Sequence, residues 1–317
     1  MTNMSESVTV GFDIGGTNMR AAAVTDSGLI IDSVSVPTPK TSETLEKGII
    51  SLVAQLREKH EVSAVGLAVA GFLDPDCEIV RFAPHLPWRD RPVRAELEDA
   101  LGLPVRLEHD ANSAAWGEYR FGAARGSQNW VLFAVGTGIG ATLMHEGEIY
   151  RGAFGTAPEF GHLTVVPQGR QCSCGKSGCL ERYCSGTAIE ATARELLDAD
   201  RGRDSMVAAA YHSGTLSGKT VTEAARQGDV FAIEVFDDFA EWMGRALSIV
   251  CDVLDPGQIV IGGGLSTSSD LFLEKATQHM AQQIVGAGYR PLPTVVCAEL
   301  GGDAGMIGVS DLARRRV

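Results

Sequence analysis

A histidine and a group of closely spaced cysteines are the residues of this sequence best suited to specific chemistry. Four of the seven cysteines lie within CSCGKSGCLERYC, residues 172–184. With a histidine upstream, three of them form a His–x9–Cys–x–Cys–x4–Cys series. One imidazole and three thiolates suit tetrahedral Zn²⁺, and such a site is closed and structural because no position is left for water. The candidate metal ligands are His162, Cys172, Cys174 and Cys179.

Other interpretations of these cysteines remain open from the residues alone. A disulfide is disfavoured because thiols stay reduced in the cytoplasm, the compartment that we expect for this chain. An ordinary buried strand is disfavoured because polar Gln171, Ser173 and Lys176 interleave the cysteines. A catalytic thiol would need a paired base, and the segment offers no evident one. The remaining cysteines are predicted to pack in the core: Cys77, Cys184, Cys251 and Cys297.

Three glycine-rich segments, each after an apolar stretch, are a second candidate for binding chemistry. They are DIGGTN at 13–18, GTGIG at 136–140 and GGGL at 262–265. Glycine lets backbone N–H groups approach a phosphate, Thr17 and Thr137 add hydroxyls, and Asp13 is placed to hold a hydrated Mg²⁺. The third segment offers bare backbone against which a nucleotide base can lie. A nucleotide site and plain hairpin turns are both compatible with this pattern.

Two better-known phosphate-binding loops do not fit the sequence. A dinucleotide fingerprint requires a helix directly after the glycines, whereas ATLMHEGEIY, which follows Gly140, favours strands. A Walker loop fails as well, because segment 214–220 has one residue too few between its glycines.

The bulk composition favours a globular protein of two domains and argues against several classes of partner. The 317 residues are 44% hydrophobic and 21% charged, and their formal net charge is −13. So acidic a balance argues against a nucleic-acid or anionic-membrane surface. No apolar run reaches the roughly 18 residues that a membrane span needs, and the start MTNMSESVTV predicts no secretory signal. We therefore expect a cytoplasmic protein that binds neither nucleic acid nor membranes.

Apolar strands and amphipathic helices alternate along the chain, which predicts an α/β fold. The predicted strands cover 8–12, 19–24, 64–70, 105–107, 130–135, 141–144, 258–261 and 294–298. The predicted helices cover 45–56, 94–101, 111–119, 231–254, 271–284 and 304–315. VGFDIGGTNMRAAAV and VLFAVGTGIGATLM share one plan of strand, glycine turn and strand, which indicates two related lobes.

Four short motifs in a fixed order resemble those of the ROK family, named after repressors, open reading frames and kinases. They are DIGGT at 13–17, GTGIG at 136–140, EFGH at 159–162 and CSCGKSGCLE at 172–181. The resemblance covers nearly the whole chain and is strongest to glucokinases of the actinobacterial type, including RFAPHLPWRD and GYRPL. It implies an α/β, two-lobed actin-like ATPase / sugar kinase (ribonuclease H-like) fold with an interlobe cleft. The expected lobes are 1–120 plus the C-terminal helix 303–317, and 121–302 with the zinc-binding loop.

The resemblance also implies an activity, the phosphorylation of the 6-hydroxyl of glucose by ATP-Mg, with structural Zn²⁺ as a further cofactor. Asp110 is then the general base, and the four residues of the His–Cys series are the zinc ligands. The implied sugar contacts are His109, Asp110, Glu159, His162 and Glu181. The implied nucleotide contacts are Asp13, Gly15, Gly16, Thr17, Asn18, Gly136, Thr137, Gly138, Gly263 and Gly264.

Two of these positions depart from the family pattern. His109 stands where an Asn that contacts the sugar is common, and a histidine is larger and changes its charge near neutrality. Asn18 replaces a frequent Lys, which leaves less positive charge beside a phosphate. From the residues alone, Asp110 is also interpretable as an ordinary helix N-cap.

Other functions remain as alternatives. A broader hexose or mannose kinase and a polyphosphate-dependent kinase both fit the motifs. A non-catalytic sugar-sensing repressor would carry a DNA-binding segment before the first glycine turn, where only twelve residues precede Asp13. The expected partners are glucose and ATP, and the expected assembly is a homodimer or homotetramer.

Overall fold

The protein, described for residues 7–315 by a computed structural model, alternates strands and helices. The strands are β1 (Val8–Ile14), β2 (Asn18–Val24), β3 (Ile30–Pro37), β4 (Val62–Val69), β5 (Phe72–Leu73), β6 (Val80–Phe82), β7 (Arg89–Arg91), β8 (Val105–His109), β9 (Trp130–Val135), β10 (Ile139–His145), β11 (Glu148–Tyr150), β12 (Gln258–Gly262) and β13 (Thr294–Cys297). The helices are α1 (Ser42–Arg57), α2 (Val93–Leu101), α3 (Asp110–Phe121), α4 (Gly186–Asp198), α5 (Met206–His212), α6 (Gly218–Arg226), α7 (Val230–Leu254), α8 (Leu273–Gln283) and α9 (Ala304–Arg314). The predictions for the chain start and for both ends of the first lobe fall partly on residues 1–6 and 316–317, outside the described residues.

Two five-stranded sheets share one strand order. The first runs β3-β2-β1-β4-β8 and the second runs β11-β10-β9-β12-β13. In the first, β1 is antiparallel to β2 and parallel to β4, and β4 is parallel to β8. In the second, β12 is parallel to both β9 and β13. The two glycine-tipped segments that look alike in the sequence therefore occupy equivalent places, β1–β2 and β9–β10.

Burial explains why these segments form regular elements. Helix α1 begins with a capping box between Thr41 and Thr44 and ends at Arg57. Its buried residues recur at helical spacing, and they are Leu45, Ile49, Leu52, Val53 and Leu56. Strand β4 is buried along almost its whole length, as expected for a strand with parallel neighbours that is covered on both faces.

Glycines in the first sheet let helix α9 pack against the strands at close range. A Cβ on Gly11 of β1 would lie 2.1 Å from the carbonyl oxygen of Met306, and one on Gly66 of β4 would lie 2.3 Å from that of Val309. Only glycine avoids both overlaps, so these residues fix how closely α9 approaches β1 and β4, the strands that lead into the glycine turn and the segment before β5.

Helix α7 is the longest helix, with 25 residues. It begins after Asp229, whose side chain accepts a 2.9 Å hydrogen bond from the N–H of Ala232. It ends at Leu254; the C-cap Asp255 has φ of 46° and precedes Pro256, a residue that cannot continue a helix. Neither α7 nor any other helix within residues 7–315 combines the length and apolarity needed to cross a membrane.

The chain divides into two compact units. The first unit comprises the residues up to Gln128, Thr142–Pro158 and the residues from Glu299, and the second comprises Asn129–Ala141 and Glu159–Ala298. The sequence had placed 142–158 in the other lobe. Two contacts within the first unit explain the difference: Arg151 pairs with Glu108, and the Thr142 hydroxyl donates to Asn112 Oδ1 at 3.0 Å.

Candidate active site and metal-binding cluster

The histidine and three cysteines singled out in the sequence come together in the second unit. One ligand atom from each of the four residues lies within 4.8 Å of the others. His162 Nδ1 is 3.7 Å from Cys172 Sγ, and Cys174 Sγ is 3.6 Å from Cys179 Sγ. A Zn–S bond of about 2.3 Å implies tetrahedral corners roughly 3.8 Å apart. The donor set therefore fits a tetrahedral ion.

The loop that carries the cysteines is folded by its own backbone. The N–H of Cys172 donates to the carbonyl of Lys176 at 2.8 Å. Gly178 has φ of 76°, and a Cβ there would lie 1.7 Å from the carbonyl oxygen of Val166. Burial, reinforced by the neighbouring thiols, raises the pKa of Cys179. Three thiolates in so small a space need a cation to offset their charge, which the chemistry of a metal site supplies.

His162 presents its two ring nitrogens to different partners. Nδ1 faces the sulfur atoms, while Nε2 lies 4.0 Å from Glu159 Oε2. Both residues belong to one turn, because Glu159 is the N-cap of the short 3-10 helix Phe160–His162. A metal-bound histidine commonly offers its second nitrogen to a fixed oxygen partner. The structure thus places Glu159 next to His162, a predicted sugar contact that is also one of the four candidate metal ligands.

Glu181, the third predicted sugar contact of the second unit, lies in the 3-10 helix Leu180–Arg182 that follows Cys179. Its Oε2 accepts a 2.9 Å hydrogen bond from the N–H of Ile139. Ile139 directly follows the predicted nucleotide-contact residue Gly138. Sequence reasoning did not foresee this link between the cysteine loop and the glycine turn.

A cavity of about 520 Å³ lies beside the second glycine turn, wholly within the second unit. Of the predicted nucleotide contacts, Gly136, Thr137 and Gly264 line it. Gly263 supports the same wall: its φ is 79°, and a Cβ there would lie 2.5 Å from the carbonyl oxygen of Val135. Residues of the lining that the sequence analysis missed are Gly186, Thr187, Ile189, Glu190, Gly218, Lys219, Thr222, Glu223, Arg226, Thr267 and Ser268.

The amino terminus of helix α4 meets the glycine turn at this cavity. The N–H of Gly186 donates to the Gly136 carbonyl at 2.7 Å, and the Thr187 hydroxyl donates to the Thr137 carbonyl at 3.0 Å. A helix amino terminus carries partial positive charge and free N–H groups, both of which favour an anion. Ser185, which caps α4 through Ala188, was the sequence signal that could have located this helix start.

The first glycine turn is shaped within the first unit. The Thr38 hydroxyl donates to the Gly15 carbonyl at 2.6 Å, and its N–H donates to the Thr17 carbonyl at 2.9 Å. Lys40 Nζ donates to the Gly16 carbonyl at 2.6 Å. A lysine distant in sequence therefore supplies positive charge at the turn where Asn18 stands in place of the family's frequent lysine.

The pKa of Asp13, the predicted magnesium carboxylate, is affected by Asp110, the predicted proton acceptor. Burial, the negative charge of Asp110 and that of Asp303 raise the pKa of Asp13, and Arg20 partly opposes them. Arg20 is itself paired with Asp303 and donates to the carbonyl of Gly302 at 3.0 Å. A divalent cation would offset the negative charge that disfavours the ionised form of Asp13.

Asp110 stands at the start of helix α3, but it is not the N-cap. The N-cap is His109, which makes no side-chain capping bond, so Asp110 is the first helical residue. Asp110 Oδ1 accepts from the N–H of Ala111 at 2.7 Å and lies 3.3 Å from His109 Nδ1. Both side chains are partly exposed, at 46% and 32%, and are accessible to a substrate.

A buried ionic network that the sequence analysis missed supports this helix start. Glu108, the residue before His109, is fully buried. Its carboxylate accepts from Arg106 at 2.8 Å, from Asn112 Nδ2 at 3.0 Å and from Arg151. Burial alone would raise the pKa of Glu108, but Arg151 and Arg106 lower it to about 2. An acidic residue within a buried strand was the available signal for such a network.

The α/β fold, the glycine turns and the carboxylates define a protein of the actin-like sugar-kinase class. The sequence matches the ROK family over residues 9–316. The chain therefore belongs to the ROK family, and the predicted fold class is confirmed.

Individual relatives agree with this assignment. The chain is 40% identical to a glucokinase of Streptomyces coelicolor over 97% of its length and 98% of that protein. A crystal structure of a ROK family glucokinase from Streptomyces griseus, in complex with glucose and AMPPNP, matches with a TM-score of 0.84 and 40% identity, over 98% of this chain and 100% of that one. The N-acetylglucosamine repressor of Escherichia coli O6:H1 is 30% identical over 85% of this chain but only 66% of the repressor.

Proposed function

We propose that this protein is a hexose kinase that transfers the γ-phosphoryl group of ATP-Mg to the 6-hydroxyl of glucose. The main support is the 40% identity, over nearly the full length of both chains, to a glucokinase and to the glucokinase structure that holds glucose and AMPPNP. Glucokinases of other bacteria match at 36% and 33% identity, again over nearly the full chain.

In the proposed reaction, the sugar 6-oxygen attacks the γ-phosphorus while its proton passes to the carboxylate of Asp110. The new O6–P bond forms as the bond from the γ-phosphorus to the bridging β,γ-oxygen breaks, which leaves ADP. Phosphoryl transfer depends mainly on positioning and on neutralising charge. Asp110 suits the role of base because its carboxylate is accessible and its position is fixed at the first residue of α3.

The nucleotide is proposed to bind through both glycine turns. Lys40 donates to the first turn, which consists of Gly15, Gly16, Thr17 and Asn18. Asp13 is proposed to hold the Mg²⁺ that accompanies ATP. In the second unit, the cavity lined by Gly136, Thr137 and Gly264 has the size of a small-molecule site. Gly138 and Gly263, where neighbouring atoms leave no room for a side chain, are also proposed to contact the nucleotide.

The sugar is proposed to contact His109, Asp110, Glu159, His162 and Glu181. The cluster of His162, Cys172, Cys174 and Cys179 is proposed to hold structural Zn²⁺, because its donor types and spacing fit a closed tetrahedral site. Zinc supplies no step of the reaction; it fixes the loop. The proposed glucokinase assembles as a homodimer or homotetramer.

A coupled assay with Asp110→Asn tests this function. Wild-type protein should phosphorylate glucose with ATP, and the variant should lose roughly 10²–10⁴ in turnover because the proton acceptor is gone. Asp99→Asn, on the exposed face of helix α2, is the matched control and should retain full turnover. Mannose, N-acetylglucosamine and polyphosphate serve as alternative substrates and donors. No turnover with any pair, or near-normal turnover of Asp110→Asn, would contradict the proposal.

A further inference from the structure

Glu181 connects the cysteine loop to the second glycine turn. It follows Cys179 by two residues, and its Oε2 accepts a 2.9 Å hydrogen bond from the N–H of Ile139. The bond is local to the second unit. A hydrogen bond to a charged acceptor is worth more than a neutral one, so this contact restrains the backbone at the end of the turn.

The turn is shaped to receive that carboxylate. A Cβ on Gly138 would lie 2.2 Å from Glu181 Oε2, and the three nearest atoms to that position all belong to Glu181. Gly138 does not have a positive φ, so the backbone conformation does not require glycine there. The contact with Glu181 alone excludes a larger residue. The absence of a side chain at Gly138 is therefore explained by the position of the Glu181 carboxylate.

The opposite side of the turn is held by helix α4. The Gly136 carbonyl accepts from Gly186, and Gly136 and Thr137 line the 520 Å³ cavity. The backbone that would meet a phosphate is thus fixed between a helix amino terminus on one side and Glu181 on the other. A carboxylate near a phosphate is electrostatically unfavourable, so its place here needs a reason other than nucleotide contact.

We propose that Glu181 is a positioning residue for the phosphate-binding turn, in addition to any contact it makes with the sugar. Oε2 holds Ile139 N–H and thereby sets the backbone of Gly136–Ile139, while Oε1 is left for a hydroxyl. Because Cys179 lies two residues away, folding of the metal loop then governs nucleotide affinity as well as sugar affinity. This inference rests on the proposed kinase function, since it requires that the turn bind a nucleotide.

Calorimetric titration with ADP-Mg, in the absence of sugar, separates this role from sugar binding. Glu181→Ala should weaken ADP binding about tenfold, the loss expected for one charge-assisted hydrogen bond. Glu181→Gln keeps an oxygen acceptor and should restore most of the affinity. Glu159→Gln, in the same sugar-contact group, should lower turnover while leaving the Kd for ADP unchanged.

Gly138→Ala supplies an independent arm because its methyl group displaces the Glu181 carboxylate from Ile139. Alone, it should weaken ADP binding about as much as Glu181→Ala. In the double variant the methyl group meets no carboxylate, so the two effects should not add. Zinc content and melting temperature are measured for each variant to confirm that the loop is folded.

The outcomes distinguish this inference from the proposed function. If wild-type protein binds no ADP, both the proposed function and the positioning role of Glu181 are overturned. If wild-type protein binds ADP and phosphorylates glucose but Glu181→Ala binds ADP as tightly, only the positioning role is overturned. Additive effects of Gly138→Ala and Glu181→Ala would overturn it as well, because the two substitutions would then act through different contacts.

Discussion

Arg151 Nε lies 3.4 Å from Oε1 of the fully buried Glu108, and its terminal nitrogen also bonds that carboxylate. Glu108 lies in strand β8, two residues before Asp110. The ion pair between Glu108 and Arg151 therefore anchors the strand that leads into the proposed base. Arg106, Asn112 and the N–H of His109 also donate to the carboxylate. Removing one partner of such a buried pair leaves the other charge without compensation, which is more costly than losing the pair together.

Glu108→Gln should therefore destabilise the fold by about 3–5 kcal/mol at neutral pH. The folded-state pKa of Glu108 lies at about 2, below its ordinary value of 4.5. Its stabilising effect is then complete above about pH 4.5 and is lost as the pH falls towards 2. Urea unfolding between pH 7 and pH 3 should show the gap between wild type and variant closing as the pH falls.

Glu58→Gln, an exposed position at the end of helix α1, is the control for Glu108→Gln and should leave the unfolding free energy almost unchanged. A gap between wild type and Glu108→Gln that stays constant across this pH range would contradict the assignment of a charged Glu108.

Asp13→Asn is expected to separate stability from activity. The pKa of Asp13 is raised, first by burial and then by Asp110, so its ionised form is disfavoured in the folded state. The resulting penalty appears as the pH rises through the unfolded and then the folded pKa, and it persists at neutral pH. Asparagine removes it, so the variant should unfold at higher temperature than wild type without nucleotide, yet lose turnover with ATP-Mg.

Thermal unfolding at pH 7 and at pH 3.5 measures the effect of Asp13→Asn. The stabilisation should be present at pH 7 and smaller at pH 3.5, where Asp13 of the wild type becomes mostly protonated in both the folded and the unfolded state. A variant that is less stable than wild type at pH 7, or that retains turnover, would argue against Asp13 as a magnesium ligand whose ionised form is disfavoured in the free protein.

Local patterns predicted most of the longer elements and the grouping of His162 with three cysteines, because each depends on residues close in sequence. The spacing of His162 and the cysteines, and the apolar periods of β1, α1 and α7, are of this kind. Strand β3 was missed, since its alternately exposed residues form an edge strand without a continuous apolar run. Helices α4 and α6 were also missed, although Ser185 and Ser217 cap them.

Contacts between distant segments could not be foretold from one sequence. Lys40 reaches the carbonyl of Gly16 from beyond β3, and Arg151 reaches Glu108 across 43 positions. Glu181 bonds Ile139 across 42 positions. Nothing in the local sequence indicates these partners, and each contact arises only when the fold brings the two segments together. The same limit applies to 142–158, whose contacts with Asn112 and Glu108 join segments that are far apart in the sequence.

Loss of one thiolate should remove the proposed zinc and loosen the loop. Cys174→Ser leaves three good ligands and an alcohol in place of a thiolate, which is a poor Zn²⁺ ligand. We expect wild-type protein to contain one zinc ion per chain and the variant to contain little, with a lower melting temperature and a higher KM for glucose. Metal analysis, thermal unfolding and initial rates measure these three effects.

Cys297→Ser is the matched control for Cys174→Ser, because this half-buried thiol lies outside the cluster. It should retain zinc and normal kinetics. Zinc-free wild-type protein with unchanged melting temperature and KM would show that the four residues do not form a structural metal site.

His109→Asn tests whether the imidazole beside the proposed base contacts the sugar. His109 Nδ1 lies 3.3 Å from Asp110 Oδ1, and the ring is partly exposed. The shorter asparagine side chain should lose one hydrogen bond to a sugar hydroxyl, so the KM for glucose should rise about tenfold. Initial rates over a range of glucose concentrations measure the effect, with His145→Asn at an exposed strand end as control. An unchanged KM for His109→Asn would mean that the imidazole does not contact the sugar.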